Sequence, residues 1–589
     1  MTAPPSFRLV VSQLRPRKGG VDHNLARVAT EAEGWAGRAE VVVLPETFLS
    51  GYFVEGGIEA VALTGDELVA RLGSPPDHAP DLILGAYERV HGAFHNTAFH
   101  LEPADGRWRI VHRHRKSFLP TYGVFDEARF VTPGREVRAY DTRFGRMGLL
   151  ICEEMLHSIP PTLLALDGAE VVVALAASPA RDFAPGHPVP GNLERWDVAG
   201  RAITLEHGSW LAVAQAVGSE GGRLFAGGSV VYGPGGTIDA RATLFREHHL
   251  EVEIDRGRVH RQRIRSPLLA DLRDALPHLL PAMTDHSGSD PVPPSEVGAR
   301  PAADSLSVPE SVARPDAIPS LELNLPLVEE ALVSFLEDEV RRRRGFHRVV
   351  VGVSGGVDSA VTLALAVRAF GVEAVHPILL PYATSAPESL DHARLLCEML
   401  GVEPRIIPIT DGVDAYIDAE EPELSPLRRG NLAARYRALV LWDQSARHDA
   451  LVLGTGNKSE RLLGYFTWHA DDSPPVNPLG DLYKTQVLAL ARHLDIPEPI
   501  VGKPPSADLV EGVHDEDEIG VSYAVADPIL AGLLEGFTPR ELVAMDFGAD
   551  DVERVRSRLE GTHWKRALPT VAMISSTGIG DFYLRPVDF

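Results

Sequence analysis

The sequence predicts an α/β protein of two domains. Its 589 residues exceed what a single hydrophobic core normally organises. Apolar runs of strand length alternate with helical stretches in both halves of the chain. Residues 281–320 are rich in Pro, Ser, Ala and Asp and lack apolar periodicity. We therefore predict a first domain over residues 1–280, a linker over 281–320 and a second domain over 321–589.

The composition of the chain limits which partners it could bind and in which cellular compartment we expect it. The formal net charge of −25 argues against broad binding to nucleic acid or to an anionic membrane. No run of about twenty apolar residues occurs, and the first residues lack the apolar core of a signal peptide. The two cysteines, Cys152 and Cys397, are too few for a disulfide framework. We therefore expect a cytoplasmic protein with neither a nucleic-acid nor a membrane partner.

The first half predicts sheets that are covered by helices. A helical stretch spans residues 23–34, and the apolar runs have the length of buried strands. These runs lie at residues 7–13, 39–45, 82–86, 96–101, 147–151, 171–175 and 210–214.

Three side chains of the first half could take part in catalysis. Glu46 directly follows the run 41–45, Lys116 ends the basic stretch 113–116, and Cys152 directly follows the run 148–151. A carboxylate can act as a general base, an ammonium group can lower a thiol pKa or stabilise an oxyanion, and a thiolate is a nucleophile. Taken singly, each residue also has a plainer interpretation: a helix cap or surface acid, a solvated base, and a small buried hydrophobe.

Taken together, and in this order, Glu46, Lys116 and Cys152 resemble the nitrilase superfamily, whose Glu–Lys–Cys residues each follow a strand. The resemblance covers residues 7–265 and implies an αββα sandwich. It also implies that Glu46 is the general base, that Lys116 stabilises the oxyanion and that Cys152 forms a thioester. Glu127 matches a second glutamate that helps to hold the lysine. The implied reaction is amide hydrolysis through an acyl-enzyme, with release of ammonia.

The resemblance also suggests glutamine as the amide. Glutamine-hydrolysing members of the family hold the amino acid at positions that correspond here to Tyr52, Tyr122, Glu153 and Ser178. Tyr52 could instead serve core packing, Glu153 could be a solvated acid, and Ser178 could be an ordinary loop serine.

The second half carries a phosphate-binding pattern. The segment Ser354-Gly355-Gly356-Val357-Asp358-Ser359 lies between the apolar run 349–353 and a helical stretch at 360–367. Glycines let backbone N–H groups approach an anion, and the helix N-terminus adds a favourable dipole. The segment lacks the Walker pattern. It resembles the pyrophosphate loop of ATP pyrophosphatases, which cut ATP between its α- and β-phosphates. A glycine-rich turn without a ligand is the alternative.

Further apolar runs at 374–381 and 404–409 alternate with helical stretches. This alternation predicts a parallel sheet with its ligands at the carboxyl edge. Cys397 lies in one of the predicted helices, where core packing explains it best.

Several short motifs downstream closely resemble motifs of NAD synthetases, and the resemblance covers nearly all of residues 325–570. They lie at 430–437, 450–460, 464–467, 481–487, 503–508 and 515–523. The resemblance implies a Rossmann-like, parallel-sheet domain of the adenine nucleotide α-hydrolase type, which uses ATP and Mg²⁺.

The same resemblance assigns residues to each ligand. The ATP site would comprise Ser354, Gly355, Gly356, Val357, Asp358, Ser359, Thr455, Lys484 and Ser506. Deamido-NAD would contact Asn431, Arg435, Asp471, Lys565 and Arg566. Mg²⁺ would be bound by Asp358 and Glu460. Ala470, Pro475 and Trp564 depart from the family pattern, which puts the shape of the nicotinate pocket in question.

The two halves together imply a complete reaction. The first would hydrolyse glutamine to glutamate and ammonia, and the second would adenylate deamido-NAD with ATP, release pyrophosphate and form NAD with release of AMP. We also expect a homo-oligomer formed through the second domain. Two alternatives remain open: an ATP-dependent amidotransferase acting on another carboxylate or nucleotide, and a non-catalytic binding protein that retains both folds.

Overall fold

The computed structural model describes residues 4–54, 57–122, 125–286, 318, 320–421, 423–505 and 514–566. They fall into two compact units. Unit 1 takes the described residues up to 286, except Phe183–Pro188, and unit 2 takes these six residues together with those from 318 onward. In the part of the chain that the structure describes, every helix is too short or too polar to span a lipid bilayer.

Unit 1 is dominated by strands. Its strands are β1 (Ser6–Gln13), β2 (Val41–Val43), β3 (Asp81–Val90), β4 (Ala93–Ala104), β5 (Arg107–Arg115), β6 (Tyr140–Thr142), β7 (Gly145–Ile151), β8 (Val171–Ala176), β9 (Trp210–Gln215), β10 (Val217–Glu220), β11 (Arg223–Ala226), β12 (Val230–Gly233), β13 (Thr237–Arg241) and β14 (His248–Asp255). Its helices are α1 (Val21–Trp35), α2 (Ile58–Val61), α3 (Gly65–Leu72), α4 (Ile159–Leu166), α5 (Gly191–His207), α6 (Arg256–Arg265) and α7 (Leu268–His286).

Two six-stranded sheets form the centre of unit 1. The first has the order β14-β1-β2-β3-β4-β5 and the second the order β13-β12-β9-β8-β7-β6. The strands β1, β2 and β3 are parallel to one another, as are β7, β8 and β9, and the flanking strands are antiparallel. The short strands β10 and β11 form a separate hairpin.

The sheets pack face to face, with helices on their outer sides. β1 packs against β9 and β4 against β7, while α1 and α3 cover the first sheet and α4 and α5 cover the second. The apolar face of α1, including Leu25, Val28 and Ala32, is buried against the first sheet because these residues recur at helical spacing. The predicted αββα sandwich is therefore confirmed.

Unit 2 contains one parallel sheet and many helices. Its strands are β15 (Val349–Gly352), β16 (Val375–Leu379), β17 (Arg405–Ile406) and β18 (Leu451–Leu453). Its helices are α8 (Leu325–Leu336), α9 (Val357–Phe370), α10 (Pro387–Leu400), α11 (Thr410–Glu420), α12 (Pro426–His448), α13 (Lys458–Leu463), α14 (Lys484–His493), α15 (Glu498–Val501), α16 (Asp515–Ile519), α17 (Tyr523–Leu534), α18 (Pro539–Ala544) and α19 (Ala549–Gly561).

The sheet of unit 2 has the order β17-β16-β15-β18, and all its pairs are parallel. Alternate residues of β15 enter different cores: Val349 and Val351 pack with α8, α9 and α14, whereas Val350 packs with α11 and α12. The sheet is thus covered on both faces, which confirms the predicted Rossmann-like arrangement. Cys397 is fully buried in the first of these cores, as its sequence context indicated.

The predicted linker is only partly described. Helix α7 continues into it as far as His286. Residues 287–317 and 319 lie outside the described residues, so the domain limits remain a prediction.

Candidate active sites

In unit 1, the ends of strands bring three predicted residues to one place. Glu46 lies just beyond β2, Lys116 directly follows β5, and Cys152 directly follows β7. The first two strands belong to one sheet and the third to the other. All three side chains are buried, with residue exposures of 1%, 0% and 6%. The predicted Glu–Lys–Cys set therefore lies where the ends of strands from both sheets meet.

A hydrogen-bonded cluster surrounds the Lys116 ammonium group. Its Nζ atom donates to Oε1 of Glu46 at 2.8 Å and to Oε2 of Glu127 at 2.6 Å. Asn96 Nδ2 donates to both glutamates, at 2.8 Å to Glu46 and 2.7 Å to Glu127. Tyr52 donates its hydroxyl hydrogen to Glu127 Oε2 at 3.0 Å. Sequence reasoning missed Asn96, whose only signal is a polar side chain inside an otherwise buried strand.

Burial and charge set the protonation of this cluster. Burial raises the pKa of Glu46, and the Lys116 charge only partly offsets this effect. Burial alone would lower the Lys116 pKa, but the charges of Glu127 and Glu46 outweigh it and hold the pKa well above its ordinary value. Burial and the Glu46 charge raise the pKa of the Cys152 thiol. A thiol with a raised pKa needs a nearby base before its sulfur can act as a nucleophile.

The backbone at Cys152 has an uncommon conformation. Its φ angle is +51°, in the left-handed region that favours glycine. The residue opens a short 3₁₀ turn, Cys152–Leu156, at the carboxyl end of β7. Thr47, which directly follows Glu46, has a φ angle of +46°. Non-glycine residues in this region cluster at functional sites, where the surrounding structure holds them.

The predicted glutamine residues are distributed around this cluster. Tyr52 is tied to it through Glu127, and its ring lies 5.5 Å from Lys116 Nζ. Burial raises the pKa of Tyr122, with further contributions from the charges of Glu153 and Cys152, so these two groups are near its hydroxyl. Ser178 accepts a hydrogen bond from Asn192 at 3.0 Å. Tyr122 is also 55% exposed, which leaves it accessible to a ligand.

In unit 2, the glycine-rich segment forms the turn between β15 and α9. Ser354 Oγ accepts from the Gly356 N–H at 3.2 Å, and Ser359 Oγ accepts from the Ser354 N–H at 3.2 Å. Gly355 has a φ angle of +82°, and a Cβ atom added there would lie 2.1 Å from the Ser389 carbonyl oxygen. Only glycine fits such a position. The turn is therefore held closed by its own serines and by contact with α10.

A cavity of about 320 Å³ opens beside this turn, at the carboxyl edge of the sheet. Many of the predicted nucleotide residues line it, namely Ser354, Gly356, Val357, Asp358, Ser359, Thr455, Glu460, Asp471 and Lys484. Arg437, Arg461 and Lys503 also line it, and sequence reasoning did not single them out. Ser506 lies outside the described residues.

Lys484 lies between the two predicted metal ligands. Its Nζ atom is 2.5 Å from Asp358 Oδ2 and 3.5 Å from Glu460 Oε1. Asn457 Nδ2 donates to the other Asp358 oxygen at 2.8 Å, and the Asn457 N–H donates to Glu460. Burial, reinforced by the charge of Asp358, raises the pKa of Glu460 to about 8. The cluster thus holds two partly buried acidic side chains, 16% and 18% exposed, around one cation.

The donor set of this cluster suits Mg²⁺. Among the described residues, no group of three or more His, Cys, Asp or Glu side chains could hold a metal ion by itself. Mg²⁺ prefers oxygen ligands and is usually bound through one or two carboxylates together with substrate phosphates. Asp358 and Glu460 supply such a pair beside a glycine-rich turn.

The predicted dinucleotide residues form two pairs, and the fifth residue stands apart. Asn431 accepts from the Thr467 hydroxyl at 3.0 Å, and Asp471 Oδ2 accepts from the Thr467 N–H at 2.7 Å. Lys565 instead donates to the carbonyl oxygens of residues 464 and 466, and Arg566 to that of residue 462. Arg435 is exposed on α12. Of these five, Asp471 alone is among the described residues that line the cavity.

The positions that depart from the family pattern lie beside this region. Ala470 is 3% exposed and lines the cavity. Trp564 is 49% exposed, and its ring lies edge-on to that of Trp468, with the ring centres 5.2 Å apart. Ala470 therefore adds apolar surface to the cavity, and Trp564 adds a half-exposed aromatic ring.

Comparison with protein families divides the chain in the same way. The carbon-nitrogen hydrolase model matches residues 8–264, and the NAD synthase model matches residues 328–569. The NH(3)-dependent NAD(+) synthetase of Chlorobaculum tepidum is 49% identical over 259 residues, which are 44% of this chain and 92% of that protein. The protein of the same name from Fusobacterium nucleatum is 44% identical over 255 residues, 43% of this chain and 98% of that protein.

Solved structures resemble the whole chain. A glutamine-dependent NAD+ synthetase from Acinetobacter baumannii, in complex with ADP, superposes with a TM-score of 0.70 at 24% identity, covering 99% of this chain and 98% of its own. A glutamine-dependent NAD(+) synthetase from Cytophaga hutchinsonii gives a TM-score of 0.64 at 17% identity, covering 95% and 93%. At these identities the similarity shows the fold.

Proposed function

Because this chain belongs to the NAD synthetase family and carries a carbon–nitrogen hydrolase domain before its synthetase domain, we propose that it is a ligase that makes NAD with glutamine as the nitrogen donor. The observation that carries the proposal is the buried contact of Lys116 with Glu46 and Glu127 in a chain whose second unit holds a phosphate turn beside a cavity. An ammonia-producing site and an ATP site in one chain supply the two halves of an amidation.

The first half-reaction is hydrolysis of the glutamine carboxamide. Glu46 takes the proton of the Cys152 thiol, and Sγ attacks the carboxamide carbon. The raised pKa of Glu46 suits it to this role, since its proton affinity is closer to that of the thiol than an exposed carboxylate's would be. The oxyanion that forms is stabilised by the Lys116 ammonium group, which Glu127 holds in place. Asn96 in turn donates a hydrogen bond to Glu127.

Collapse of this intermediate breaks the C–N bond, and Glu46 returns the proton so that ammonia leaves. Water, deprotonated by Glu46, then attacks the thioester, which releases glutamate and restores the thiol. We propose that Tyr52, Tyr122, Glu153 and Ser178 bind the amino-acid end of glutamine. The exposure of Tyr122 and the link between Tyr52 and Glu127 support this assignment.

The second half-reaction activates the carboxylate of deamido-NAD. The nicotinate carboxylate attacks the α-phosphorus of ATP, pyrophosphate leaves, and ammonia then displaces AMP from the acyl-adenylate. The N–H groups of the turn and the N-terminus of α9 bind phosphate oxygens, and Lys484 adds a positive charge. We propose that Asp358 and Glu460 bind Mg²⁺, which neutralises the phosphate charge when bound. Thr455 and Ser506 complete the proposed ATP contacts.

The dinucleotide would lie beside the nucleotide at the same edge of the sheet. Asn431 and Asp471 support this part of the proposal because Thr467 joins them next to the cavity. Arg435, Lys565 and Arg566 remain predicted contacts on the basis of the family pattern. The expected homo-oligomer through unit 2 is also a proposal, supported by exposed apolar side chains on α12 such as Leu427 and Leu439. Two unpaired, buried cysteines agree with the proposed cytoplasmic location.

An assay of NAD formation tests the function directly. The purified chain is supplied with ATP, Mg²⁺ and deamido-NAD, and either glutamine or ammonium is added. We expect NAD, AMP and pyrophosphate in equal amounts with both nitrogen sources, and glutamate with glutamine only. Turnover with another carboxylate but not with deamido-NAD would instead identify an amidotransferase with a different acceptor. The absence of any pyrophosphate release would contradict the enzymatic assignment.

A further inference from the structure

Glu154 is a buried carboxylate that the proposed reaction does not use. It is the third residue of the 3₁₀ turn that begins at Cys152, and its exposure is 0%. An ionised group is costly to bury unless it is paired and hydrogen-bonded. The hydrogen bonds of Glu154 therefore indicate which role the buried carboxylate has.

Each oxygen of Glu154 holds a residue next to the reacting groups. Oε1 accepts from the N–H of Ser117 at 2.6 Å, and Oε2 accepts from the N–H of Ile151 at 2.7 Å. Ser117 directly follows Lys116, and Ile151 directly precedes Cys152. Strand β5, which ends next to Lys116, is the edge strand of the first sheet, and β7 belongs to the second. One side chain thus joins the two sheets at the residues that present the ammonium group and the thiol.

His114 completes the contact from the β5 side. Its Nε2 atom lies 2.6 Å from Oε2 of Glu154, and the two side chains are 1% and 0% exposed. His114 lies on β5, so two of the three contacts of the carboxylate are with residues on either side of Lys116. Burial would raise the pKa of Glu154, but the contacts with His114 and with the two backbone N–H groups hold it below its ordinary value.

From this geometry we propose that Glu154 is a positioning residue for glutamine hydrolysis, which fixes the separation between the Lys116 ammonium group and the Cys152 thiol. The inference rests on the proposed function of unit 1. The strained φ angle of Cys152 supports it, since such a conformation persists only where neighbouring contacts hold it. A small displacement of reacting groups by a distant change can cost about 100-fold in rate.

Glu154→Gln tests the proposal in the full chain. A carboxamide has one acceptor oxygen, so one of the two N–H groups must face an NH₂ donor. We expect kcat for glutamine hydrolysis to fall about 100-fold, because the reacting groups are misplaced. KM should stay within about threefold, because Glu154 does not bind the substrate. NAD synthesis from ammonium should be unchanged. If the unsubstituted chain hydrolyses glutamine but the variant does so equally well, this inference fails while the proposed function stands.

Asp81→Asn is the matched control. Like Glu154, Asp81 is a buried carboxylate that contacts a buried histidine of unit 1. Its Oδ2 atom lies 3.1 Å from Nε2 of His100, and the side chains of Asp81 and His100 are 1% and 0% exposed. It holds no backbone N–H next to Lys116 or Cys152 among its described contacts. We expect this variant to lose thermal stability while it keeps kcat.

Glu154→Asp provides a second test if the Gln variant does not fold. It keeps the charge and both oxygens but withdraws them by one methylene, so they no longer reach both segments. A selective loss of kcat in a folded Gln or Asp variant supports the proposal. The Asp variant is assayed only when the Gln variant does not fold. Unchanged kcat in the variant so assayed, or an equal loss of kcat in Asp81→Asn, overturns the proposal.

Discussion

The ammonium nitrogen of Lys116 and the Oε2 atom of Glu127 lie 2.6 Å apart, in side chains that are only 0% and 3% exposed. Glu127 belongs to a short 3₁₀ turn rather than to the strands that lead to the other reacting groups. Its charge opposes the effect of burial on the Lys116 pKa and so keeps the lysine protonated. The oxyanion-stabilising role that we propose for Lys116 therefore depends on a residue outside the Glu–Lys–Cys set.

Glu127→Gln should impair glutamine hydrolysis without affecting the synthetase. The variant keeps the shape of the side chain but removes a charge that stabilises protonated Lys116. We expect kcat for glutamate release to fall on the order of 100-fold, a loss typical for a weakened oxyanion contact. Glu136→Gln is the control, since Glu136 is 67% exposed and pairs with Arg138 on the surface. Equal kcat values for the two variants would contradict this role of Glu127.

Cys152→Ala should separate the two nitrogen sources. Without the thiol no thioester can form, so glutamine-driven NAD synthesis should be lost, while synthesis from ammonium continues because unit 2 is untouched. Cys397→Ala, which removes the buried cysteine of unit 2, should retain both activities at temperatures where it is folded. Loss of ammonium-driven synthesis in the Cys152 variant would show that the two activities are not separable in this way.

Asp358→Asn should abolish pyrophosphate release with either nitrogen source. The substitution removes one of the two carboxylates around Lys484 and one proposed Mg²⁺ ligand. We expect at least about a 100-fold loss in the rate of pyrophosphate release, with unchanged glutamine hydrolysis. Asp481→Asn is the control, because Asp481 is 96% exposed. Chelation of divalent cations should reproduce the loss in the unsubstituted protein, and full activity in the presence of a chelator would contradict the metal assignment.

Gly355→Ala and Gly371→Ala form a matched pair. Both glycines have a φ angle of +82°, but the added Cβ meets the Ser389 carbonyl oxygen at position 355 and no described atom within 4 Å at position 371. Each variant should lose about 1–3 kcal/mol of stability, because both glycines have a positive φ angle. Only Gly355→Ala should also lose pyrophosphate release, because the turn must move away from α10. Parallel assays of the two variants at the same folded fraction check this difference.

His112 should make unit 1 less stable in acid. Burial lowers the pKa of its imidazole to about 4, from an ordinary value of 6.5, and the neighbouring His114 and His100 reinforce the effect. Between pH 6.5 and pH 4 the imidazole of His112 is therefore protonated in the unfolded chain but neutral in the folded chain. The free energy of unfolding consequently decreases as the pH falls from 6.5 toward 4. The change amounts to at most about 3 kcal/mol, at 1.36 kcal/mol per pKa unit.

His112→Phe should flatten this pH dependence, because the variant keeps a ring against Tyr140, whose centre lies 4.1 Å away. Urea unfolding at several pH values between 4 and 7 measures the effect. His23→Gln, at an exposed position of α1, is the control and should leave the slope unchanged. A slope for His112→Phe equal to that of the unsubstituted chain would contradict the prediction.

The sequence pointed to Glu46 and Cys152 because each follows an apolar run, and strand ends at a sheet edge converge in space. Lys116 follows no apolar run, and only the resemblance to the nitrilase superfamily singled it out. Strand β5 was not predicted, since its charged residues hide the alternation that buries Trp108. Asn96 and Glu154 were also missed. Their roles depend on contacts with residues far away in the chain, such as Glu46 and Ser117, and no local pattern records such contacts.

In unit 2, the strand–turn–helix pattern was sufficient to predict the phosphate turn, because its glycines and serines act locally. The position of Lys484 between Asp358 and Glu460 was not predictable from spacing, since three separate segments supply these residues. Arg437 lines the cavity whereas Arg435 is exposed, although both lie on α12. The helical period decides which of the two faces the sheet, and the motif alone did not distinguish them.

The left-handed backbone conformation of Cys152 sets the reactivity of the proposed active site against the stability of the folded chain. The conformation costs free energy for every residue type except glycine, so a glycine at this position would relax the chain while it destroys the nucleophile. The backbone strain relieved at this position would then be gained at the loss of glutamine hydrolysis. Selection for thermostability alone would consequently favour loss of the thiol, and only simultaneous selection for glutamine use would retain it.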